Sequence, residues 1–203
     1  MRREGWDPVR RRIMCYGDSN TYGYDPRSYL GGRYPKSVRW TGRLEADGWE
    51  VFNQGENGRS IPQLDFEIES AVRSVQEVRP DILTVMLGSN DLLQRPGFAA
   101  GVCGERMERF LTAFLGKASE ILLIAPPPME PEDWAPDERL LIASRRLADH
   151  YKELARRLNI HFTDAGTWNV ELTYDGVHFS ESGHQAFADN LLKVLTALFP
   201  DTK

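Results

Sequence analysis

The sequence predicts an α/β protein: a three-layer α/β/α sandwich built on a five-stranded parallel sheet. Two patterns predict it, namely five short apolar runs and the amphipathic segments between them. The apolar runs are continuous rather than alternating, as expected for parallel strands that helices cover on both faces. Strand–helix alternation with right-handed crossovers then places helices on both sides of one sheet.

The five predicted strands can be placed from their apolar residues and from the turn-forming residues that follow them. The third is the clearest, because Pro80 and Gly88 bound its apolar run. In chain order, the predicted strands are residues 13–16, 51–53, 81–87, 121–125 and 160–162.

Three amphipathic helices are predicted from apolar residues that recur every three or four positions. The first covers residues 64–78 and ends before Pro80, and the second covers residues 140–158. The third has its apolar residues between positions 187 and 198 and also includes residue 184. The second helix carries a charged stripe opposite its apolar face. A stripe of this kind is typical of a solvated surface.

Length, charge and hydropathy limit the class of protein. The chain has 203 residues, of which 41% are hydrophobic, and this is enough to build one domain with an ample core. We predict a single domain over residues 1–203, with residues 1–10 as a flexible tail. A formal net charge of −5 argues against a nucleic-acid partner. No apolar run approaches the ~18 residues of a membrane span.

The cysteines and the N-terminal residues exclude further classes. Cys15 and Cys103 are the two cysteines, and no C-x-x-C spacing indicates a zinc site or a disulfide framework. No apolar segment of the secretory type follows the charged N-terminal residues. We therefore expect a cytoplasmic protein. The oligomeric state stays open, with a homo-oligomer among the options.

Polar segments follow the predicted strands at the sheet edge where α/β folds bind their ligands. They are residues 17–20, 53–59, 88–91 and, before the last helix, 174–180. Each segment alone has ordinary turn composition. Together they bring a serine hydroxyl, a glycine amide, a carboxamide and an Asp/His pair to one edge. Acyl transfer requires this set of groups.

The chemistry of acyl transfer assigns a role to each group. Ser19 is the candidate nucleophile, His178 its base, and Asp175 the acid that orients the imidazole. The backbone N–H groups of Ser19 and Gly55 and the side-chain amide of Asn90 are the candidate oxyanion donors. The Asp/His pair could also bind a metal, but no third ligand is evident. We expect no metal and no cofactor.

Other polar residues near these segments receive supporting or structural roles. Asp18 and Asp91 are expected to bind neighbouring loop amides. Asp164 also follows a strand and is the rival acid, although its spacing to His178 is less suitable. His184 lies in the last helix and is expected to be structural. The absence of G-x-S-x-G excludes the α/β-hydrolase elbow, and the absence of G-x-G-x-x-G and of a P-loop removes most nucleotide sites.

Aromatic residues near the nucleophile are candidates for the substrate wall. Tyr22 and Tyr24 closely follow Ser19, and Trp134 lies in the long proline-rich loop of residues 126–137. Long loops at the ligand end of a fold often form the rim of a site. The residues predicted to line the substrate site are Asn20, Tyr22, Trp40, Trp134 and Val177.

The four polar segments resemble the four consensus blocks of the SGNH hydrolases, the GDSL esterase/lipase superfamily, in order and spacing over nearly the whole chain. The resemblance implies a flavodoxin-like SGNH hydrolase fold with no cofactor. It places the nucleophile on Ser19, the oxyanion glycine and asparagine on Gly55 and Asn90, and the acid and base on Asp175 and His178. An asparagine follows the serine here, where leucine is common in the family.

Further stretches resemble the bacterial arylesterase/acyltransferase branch of this superfamily: residues 38–42, 86–91, 126–128 and 164–166. One feature departs from that branch. Those arylesterases carry a longer insertion after the second block, whereas residues 60–62 here run almost directly into a helix. The narrow channel and the oligomeric contacts associated with that insertion are therefore not carried over.

The resemblance implies a serine esterase that transfers the acyl group of a small carboxylic ester to water or to another acceptor. Two substrate classes stay open. The arylesterase-like stretches favour short-chain aryl or alkyl esters and thioesters, and the polar loop at residues 53–60 favours O-acetyl groups on sugars. No apolar lid indicates a long-chain lipase. A non-catalytic binding module on the same fold is the alternative class, and the intact set of Ser19, Asp175 and His178 argues against it.

Overall fold

The five predicted strands form one parallel sheet. The computed structural model describes residues 10–30, 32–94, 100–132, 134–135 and 137–200, so the predicted N-terminal tail lies, apart from Arg10, outside the described residues. The strands are β1 (Arg12–Gly17), β2 (Glu50–Gly55), β3 (Ile82–Met86), β4 (Glu120–Ala125) and β5 (His161–Asp164). Their spatial order is β2-β1-β3-β4-β5, and every neighbouring pair is parallel.

The helices include the three that the sequence predicts and several that it does not. They are α1 (Ser19–Tyr22), α2 (Trp40–Ala46), α3 (Asp65–Val78), α4 (Ser89–Gln94), α5 (Ala100–Thr112), α6 (Glu138–Leu158) and α7 (Glu181–Leu198). Helix α7 begins directly after Ser180, whose side chain caps it by accepting the N–H of Gly183 at 3.0 Å. Across the described ranges, no helix combines the length and apolar character that a membrane crossing requires.

The core is divided between the two faces of the sheet. Successive residues of β1 point to opposite faces, so Met14 packs in one cluster, with Phe110 of α5, and Ile13 packs in the other, with Phe187 of α7. The first cluster is covered by α3, α5 and α6, and the second by α2 and α7. This arrangement confirms the three-layer α/β/α sandwich. Cys15 is buried as a free thiol in the second cluster.

The topology places the site at the ends of the first three strands. Gly17 at the end of β1 is in register with Gly55 of β2 and with Met86 of β3, so the three strands end level with one another. The strand order reverses between β1 and β3, and crevices at such switch points are the usual ligand sites of α/β sheets. The segments that follow these strands therefore meet at one edge.

Candidate active site

Ser19, His178 and Asp175 form one continuous chain of hydrogen bonds at this edge. The Nε2 atom of His178 lies 3.0 Å from Ser19 Oγ, and its Nδ1 atom lies 2.6 Å from Asp175 Oδ2. All three side chains are buried. With Nδ1–H donating to the carboxylate, Nε2 is the ring nitrogen that can accept the serine proton. This is the geometry that an activated serine nucleophile requires.

The Asp175 carboxylate is held in its ionised form by the donors around it. Its Oδ1 atom accepts the backbone N–H groups of Val177 and His178, each at 2.9 Å, and the Thr173 hydroxyl at 2.9 Å. Burial by itself raises the pKa of Asp175. The hydrogen bonds from the His178 ring and from the two backbone groups have the larger combined effect and lower this pKa from its ordinary 3.8 to about 2. A charged partner for the imidazole is therefore present throughout the neutral pH range.

Ser19 begins the one-turn helix α1 directly after β1. Asp18 caps this turn, because its Oδ1 atom accepts the N–H of Asn20 at 3.0 Å. This bond agrees with the expected support of a loop amide. The backbone N–H of Ser19 has no hydrogen-bond partner among the described residues, which leaves it able to bind an oxyanion. Burial raises the pKa of Asp18 to about 6, against the opposing effect of the Asn20 N–H.

The Asn20 side chain forms a structural link. Its Nδ2 donates to the carbonyl of Val177 at 3.0 Å, and its Oδ1 accepts the N–H of Phe179 at 2.9 Å. The side chain is buried, and both ends of the amide are satisfied inside the protein. Val177 is itself buried, in the larger core cluster. The Asn20 side chain is thus engaged within the protein, and the prediction that Asn20 and Val177 line the substrate site stays a prediction.

Trp40, also predicted to line the substrate site, lies in the protein core. The side chain is 1% exposed, and its ring lies 4.9 Å from that of Phe187 in the core between α2 and α7. Its indole N–H donates to the carbonyl of Asn20 at 2.9 Å. Buried tryptophans commonly use their N–H in this way. Trp40 therefore supports, from the core side, the turn that contains Ser19 and Asn20.

The remaining two candidates for the wall lie nearer the surface. Trp134 is half exposed, and its ring centroid lies 5.1 Å from that of the His178 imidazole. Tyr22 is partly buried, beneath the guanidinium of Arg33 at 4.3 Å from its ring centroid. Tyr24 lies 4.8 Å from the imidazole in a tilted arrangement. Tyr24 is not among the residues predicted to line the substrate site, although its closeness to Ser19 in the sequence indicates such a position.

The N–H of Gly55, expected to bind the oxyanion, already has a partner. It donates to Asn53 Oδ1 at 2.8 Å, whereas Asn53 Nδ2 donates to the carbonyl of Thr21 at 2.8 Å. The glycine serves packing instead: a Cβ atom at this position would overlap the backbone nitrogen of Tyr22. In this geometry Gly55 joins β2 to α1, and its N–H is not free for a ligand, contrary to the expectation from sequence.

Gly58, further along the same loop, has a backbone N–H that is not engaged by a neighbouring side chain among the described residues, unlike that of Gly55. Its φ of 75° lies in the left-handed region, and its N–H has no hydrogen-bond partner within the part of the chain that the structure describes. Two side chains of α4 hold this part of the loop. Asn90 Nδ2 donates to the carbonyl of Arg59 and Gln94 Nε2 to that of Gly58, each at 3.1 Å. The second hydrogen of Asn90 Nδ2 stays available.

Asp91 fastens the same loop to two helices. Its Oδ2 accepts the N–H of Ile61 at 2.9 Å, and its Oδ1 pairs with Arg106 Nη1 of α5 at 2.8 Å. The carboxyl group is buried, and burial raises its pKa despite these two donors. The loop amide that Asp91 was expected to bind is therefore that of Ile61, and the ion pair with Arg106 is an additional contact.

The other candidate acids, bases and ligands are engaged elsewhere. Asp164 caps the short 3-10 helix Ala165–Thr167 through its side chain. His184 is buried in α7, where its Nδ1 accepts the N–H of Trp40 at 3.5 Å, and burial lowers its pKa to about 3. Among the described residues, no group of three or more His, Cys, Asp and Glu side chains could hold a metal ion.

Comparison with known proteins assigns the family. A protein-family model described as the GDSL-like lipase/acylhydrolase family matches residues 15–186, which include Ser19, Asp175 and His178. The chain belongs to this family. A GDSL/SGNH chain of this kind is an ester-bond hydrolase, and the esterase class implied by the sequence resemblance is confirmed.

Solved esterases share the fold over almost their full length. The aryl esterase of M. smegmatis is 26% identical with a TM-score of 0.81, over 93% of this chain and 100% of that chain. Est24, a carbohydrate acetylesterase from Sinorhizobium meliloti, is 25% identical with a TM-score of 0.79, over 94% and 100%. A putative arylesterase from Agrobacterium tumefaciens is 27% identical with a TM-score of 0.80, over 92% and 99%. A search of curated proteins gives no match. The SGNH hydrolase fold is thereby confirmed.

Proposed function

We propose that this GDSL-family esterase hydrolyses small carboxylic esters through an acyl-enzyme on Ser19. The observation that carries the proposal is the unbroken path from Ser19 Oγ through the His178 imidazole to the Asp175 carboxylate, with contacts of 3.0 and 2.6 Å. A serine that only formed a turn would not need a buried imidazole whose other nitrogen is held by an ionised acid.

In the proposed mechanism, His178 Nε2 takes the proton of Ser19 as Oγ attacks the ester carbonyl carbon. The tetrahedral intermediate then collapses, and the imidazolium donates this proton to the departing alcohol oxygen. Water attacks the acyl-enzyme while His178 accepts one of its protons. Collapse of the second intermediate releases the acid and returns the proton to Ser19 Oγ. Asp175 stays ionised and stabilises the imidazolium.

We assign the oxyanion hole to the Ser19 N–H, the Gly58 N–H and the second hydrogen of Asn90 Nδ2. The two backbone groups have no partner among the described residues. The Gly55 N–H is left out because Asn53 accepts it. Donors positioned before the reaction stabilise the developing negative charge, and the loss of one costs about 10²–10³ in turnover.

Short-chain aryl or alkyl esters and thioesters are the favoured substrates, and O-acetylated sugars are the second candidate. A polar groove of about 510 Å³ beside Gly58 supports the second candidate. Amide and hydroxyl groups with an exposed aromatic ring suit a sugar, which presents both hydroxyls and a C–H face. The groove residues with these groups are Gln54, Ser60, Phe66, Ser70, Ser74 and Gln94.

A fluorophosphonate probe tests the proposed chemistry. We expect one adduct on Ser19 in the folded protein, and none in the Ser19→Ala variant or in the denatured chain. In a crystal structure of the adduct, the phosphoryl oxygen should lie within about 3.1 Å of the amide nitrogens of Ser19 and Gly58. A contact with the Gly55 nitrogen instead would overturn our choice of glycine. Turnover of p-nitrophenyl acetate, its octanoate homologue and an acetylated xylooligosaccharide would rank the substrate classes.

A further inference from the structure

Trp134 presents an exposed flat surface beside the proposed catalytic base. Its ring lies 5.1 Å from the His178 imidazole, with the two planes at 79°, and the residue is 51% exposed. Tyr24 also contacts the imidazole but is more covered by the protein. Half of an indole left in water next to a buried catalytic group is apolar surface available to a ligand.

The backbone holds this indole in position. The N–H of Trp134 donates to the carbonyl of Asp175 at 3.3 Å, and the N–H of Glu130 donates to that of Gly176 at 2.9 Å. Gly176 lets the two segments approach, since a Cβ atom there would overlap the carbonyl oxygen of Glu130. Ala135, the next residue, is fully buried. The loop is thus attached to the turn that carries Asp175 and His178, so the indole keeps its place beside the imidazole.

The reaction determines which part of the substrate lies at this position. His178 Nε2 must come within about 2.6–3.2 Å of the departing alcohol oxygen to protonate it. The group attached to that oxygen therefore begins beside the imidazole and extends outward from it. A ring joined directly or through one carbon to that oxygen then lies close to the imidazole, beside which the indole of Trp134 lies.

We propose that Trp134 is the contact surface for the alcohol half of the ester and selects alcohols that carry a flat ring. This inference rests on the proposed function. Both an aromatic ring and the C–H face of a sugar ring have the required shape and can pack on an indole. Trp134 then determines specificity for the leaving group, whereas the acyl half lies on the other side of the ester bond.

Trp134 should contact the alcohol in the same way when an alcohol, rather than water, accepts the acyl group from Ser19. His178 takes the proton of the alcohol while its oxygen attacks the acyl carbon, and Ser19 Oγ leaves and regains a proton from His178. The bond between the acyl carbon and Ser19 Oγ breaks as the bond to the alcohol oxygen forms, so the new ester contains the carbonyl oxygen of the acyl group and the oxygen of the alcohol. Because this step reverses acylation, the acceptor occupies the position of the leaving alcohol. Trp134 should therefore favour ring-bearing acceptors over small ones.

The test compares native protein, Trp134→Leu, Trp134→Phe and the control Tyr29→Ala. Tyr29 is a fully exposed aromatic residue. p-Nitrophenyl acetate supplies the same acetyl-enzyme in every case, and the partition of that acetyl group between water and ethanol, benzyl alcohol or methyl glucoside is measured. We expect Trp134→Leu to lower transfer to benzyl alcohol relative to water by ~3- to 10-fold, and transfer to ethanol by less than ~2-fold. In Trp134→Phe and Tyr29→Ala, the partition of the acetyl group between each alcohol and water should stay near that of the native protein. The methyl glucoside arm shows whether the preferred ring is aromatic or a sugar.

Other outcomes would overturn the inference. Equal loss of transfer to all acceptors and of hydrolysis in Trp134→Leu would mean that the residue only positions His178. A loss that follows acyl length, from acetate to octanoate, would place Trp134 in the acyl pocket. Circular dichroism confirms that each variant is folded, and Trp134→Phe provides a second variant that keeps a flat ring. Failure of the proposed function is distinct, because native protein would then release no p-nitrophenol from any ester.

Discussion

The side-chain amide of Asn20 donates to the backbone carbonyl of Val177 at 3.0 Å, across 157 residues of chain. Asn20 follows Ser19 directly, and Val177 directly precedes His178. The same amide accepts the N–H of Phe179 at 2.9 Å, so it holds both sides of His178. One buried side chain thus sets the distance between the proposed nucleophile and its base.

Asn20→Leu should uncouple these two segments. The substitution leaves the Val177 carbonyl and the Phe179 N–H buried without partners, a loss of about 1–3 kcal/mol for each unsatisfied group. We expect a lower melting temperature and a fall of about tenfold or more in kcat/KM, because the distance from Ser19 to His178 is no longer held.

Thermal unfolding and p-nitrophenyl acetate kinetics measure both effects, and Gln76→Ala, which removes an exposed amide on α3, is the matched control. If Asn20→Leu kept native kcat/KM, the link would be dispensable for activity. Because leucine is common at this position in the superfamily, other members are active without this amide. A loss of activity in Asn20→Leu would therefore show that the backbone groups of this chain depend on the asparagine.

Ser19→Ala should abolish turnover while leaving the fold intact. In serine hydrolases with a Ser-His-Asp triad, removal of the serine nucleophile lowers kcat by about 10⁶, so residual activity should be close to background. Within the described part of the chain, the hydroxyl makes one side-chain hydrogen bond, with His178, so the melting temperature should change little. Ester hydrolysis and circular dichroism are the two measurements. Substantial turnover by this variant would contradict the proposed role of Ser19.

Gly55→Ala and Gly58→Ala should destabilise the fold for different reasons, the first by a steric overlap and the second by a strained backbone conformation. A Cβ atom at residue 55 would overlap the backbone of Tyr22, so we expect a large loss of stability and displacement of α1. A Cβ atom at residue 58 would have nothing within 4 Å, and the cost is that of a left-handed φ, about 1–2 kcal/mol. Chemical denaturation measures both. Equal destabilisation would contradict the assigned roles of these two glycines.

Asp18 should give stability an unusual dependence on pH. Burial raises its pKa in the folded protein to about 6, above the ordinary 3.8, so the folded state binds more protons than the unfolded state between pH 4 and 6. The free energy of unfolding should therefore fall as the pH rises through this range, by up to ~3 kcal/mol from this group.

Asp18→Asn should remove this dependence, because the amide oxygen can still accept the Asn20 N–H and carries no charge. Relative to native protein, the variant should be more stable at pH 8 and about equal at pH 4. Urea unfolding at the two pH values tests this expectation. A variant that is less stable at pH 8 would show that the charged carboxylate is favourable in the fold, contrary to the raised pKa.

Local patterns in the sequence were sufficient for much of the architecture. Continuous apolar runs placed all five strands, because buried parallel strands need apolar residues on both faces. Helix α5 was not predicted: Gly101 and Gly104 lower its helix propensity, and only packing of residues such as Met107 and Phe110 on the core stabilises it. Short segments at the strand ends also indicated the esterase class, which is confirmed, and they are the basis for proposing Ser19 and the Asp/His pair as the catalytic residues.

The sequence by itself therefore determined the strands, the order of the chemical groups and the hydrolase family, since these depend on residues that are close together in the chain. Tertiary structure decided which groups are free to act. Only contacts between distant segments show that Asn53 accepts the Gly55 N–H, that Trp40 lies in the core and that Trp134 stands exposed beside His178. The availability of a donor or a ring depends on what packs against it, and folding brings those partners from distant parts of the chain.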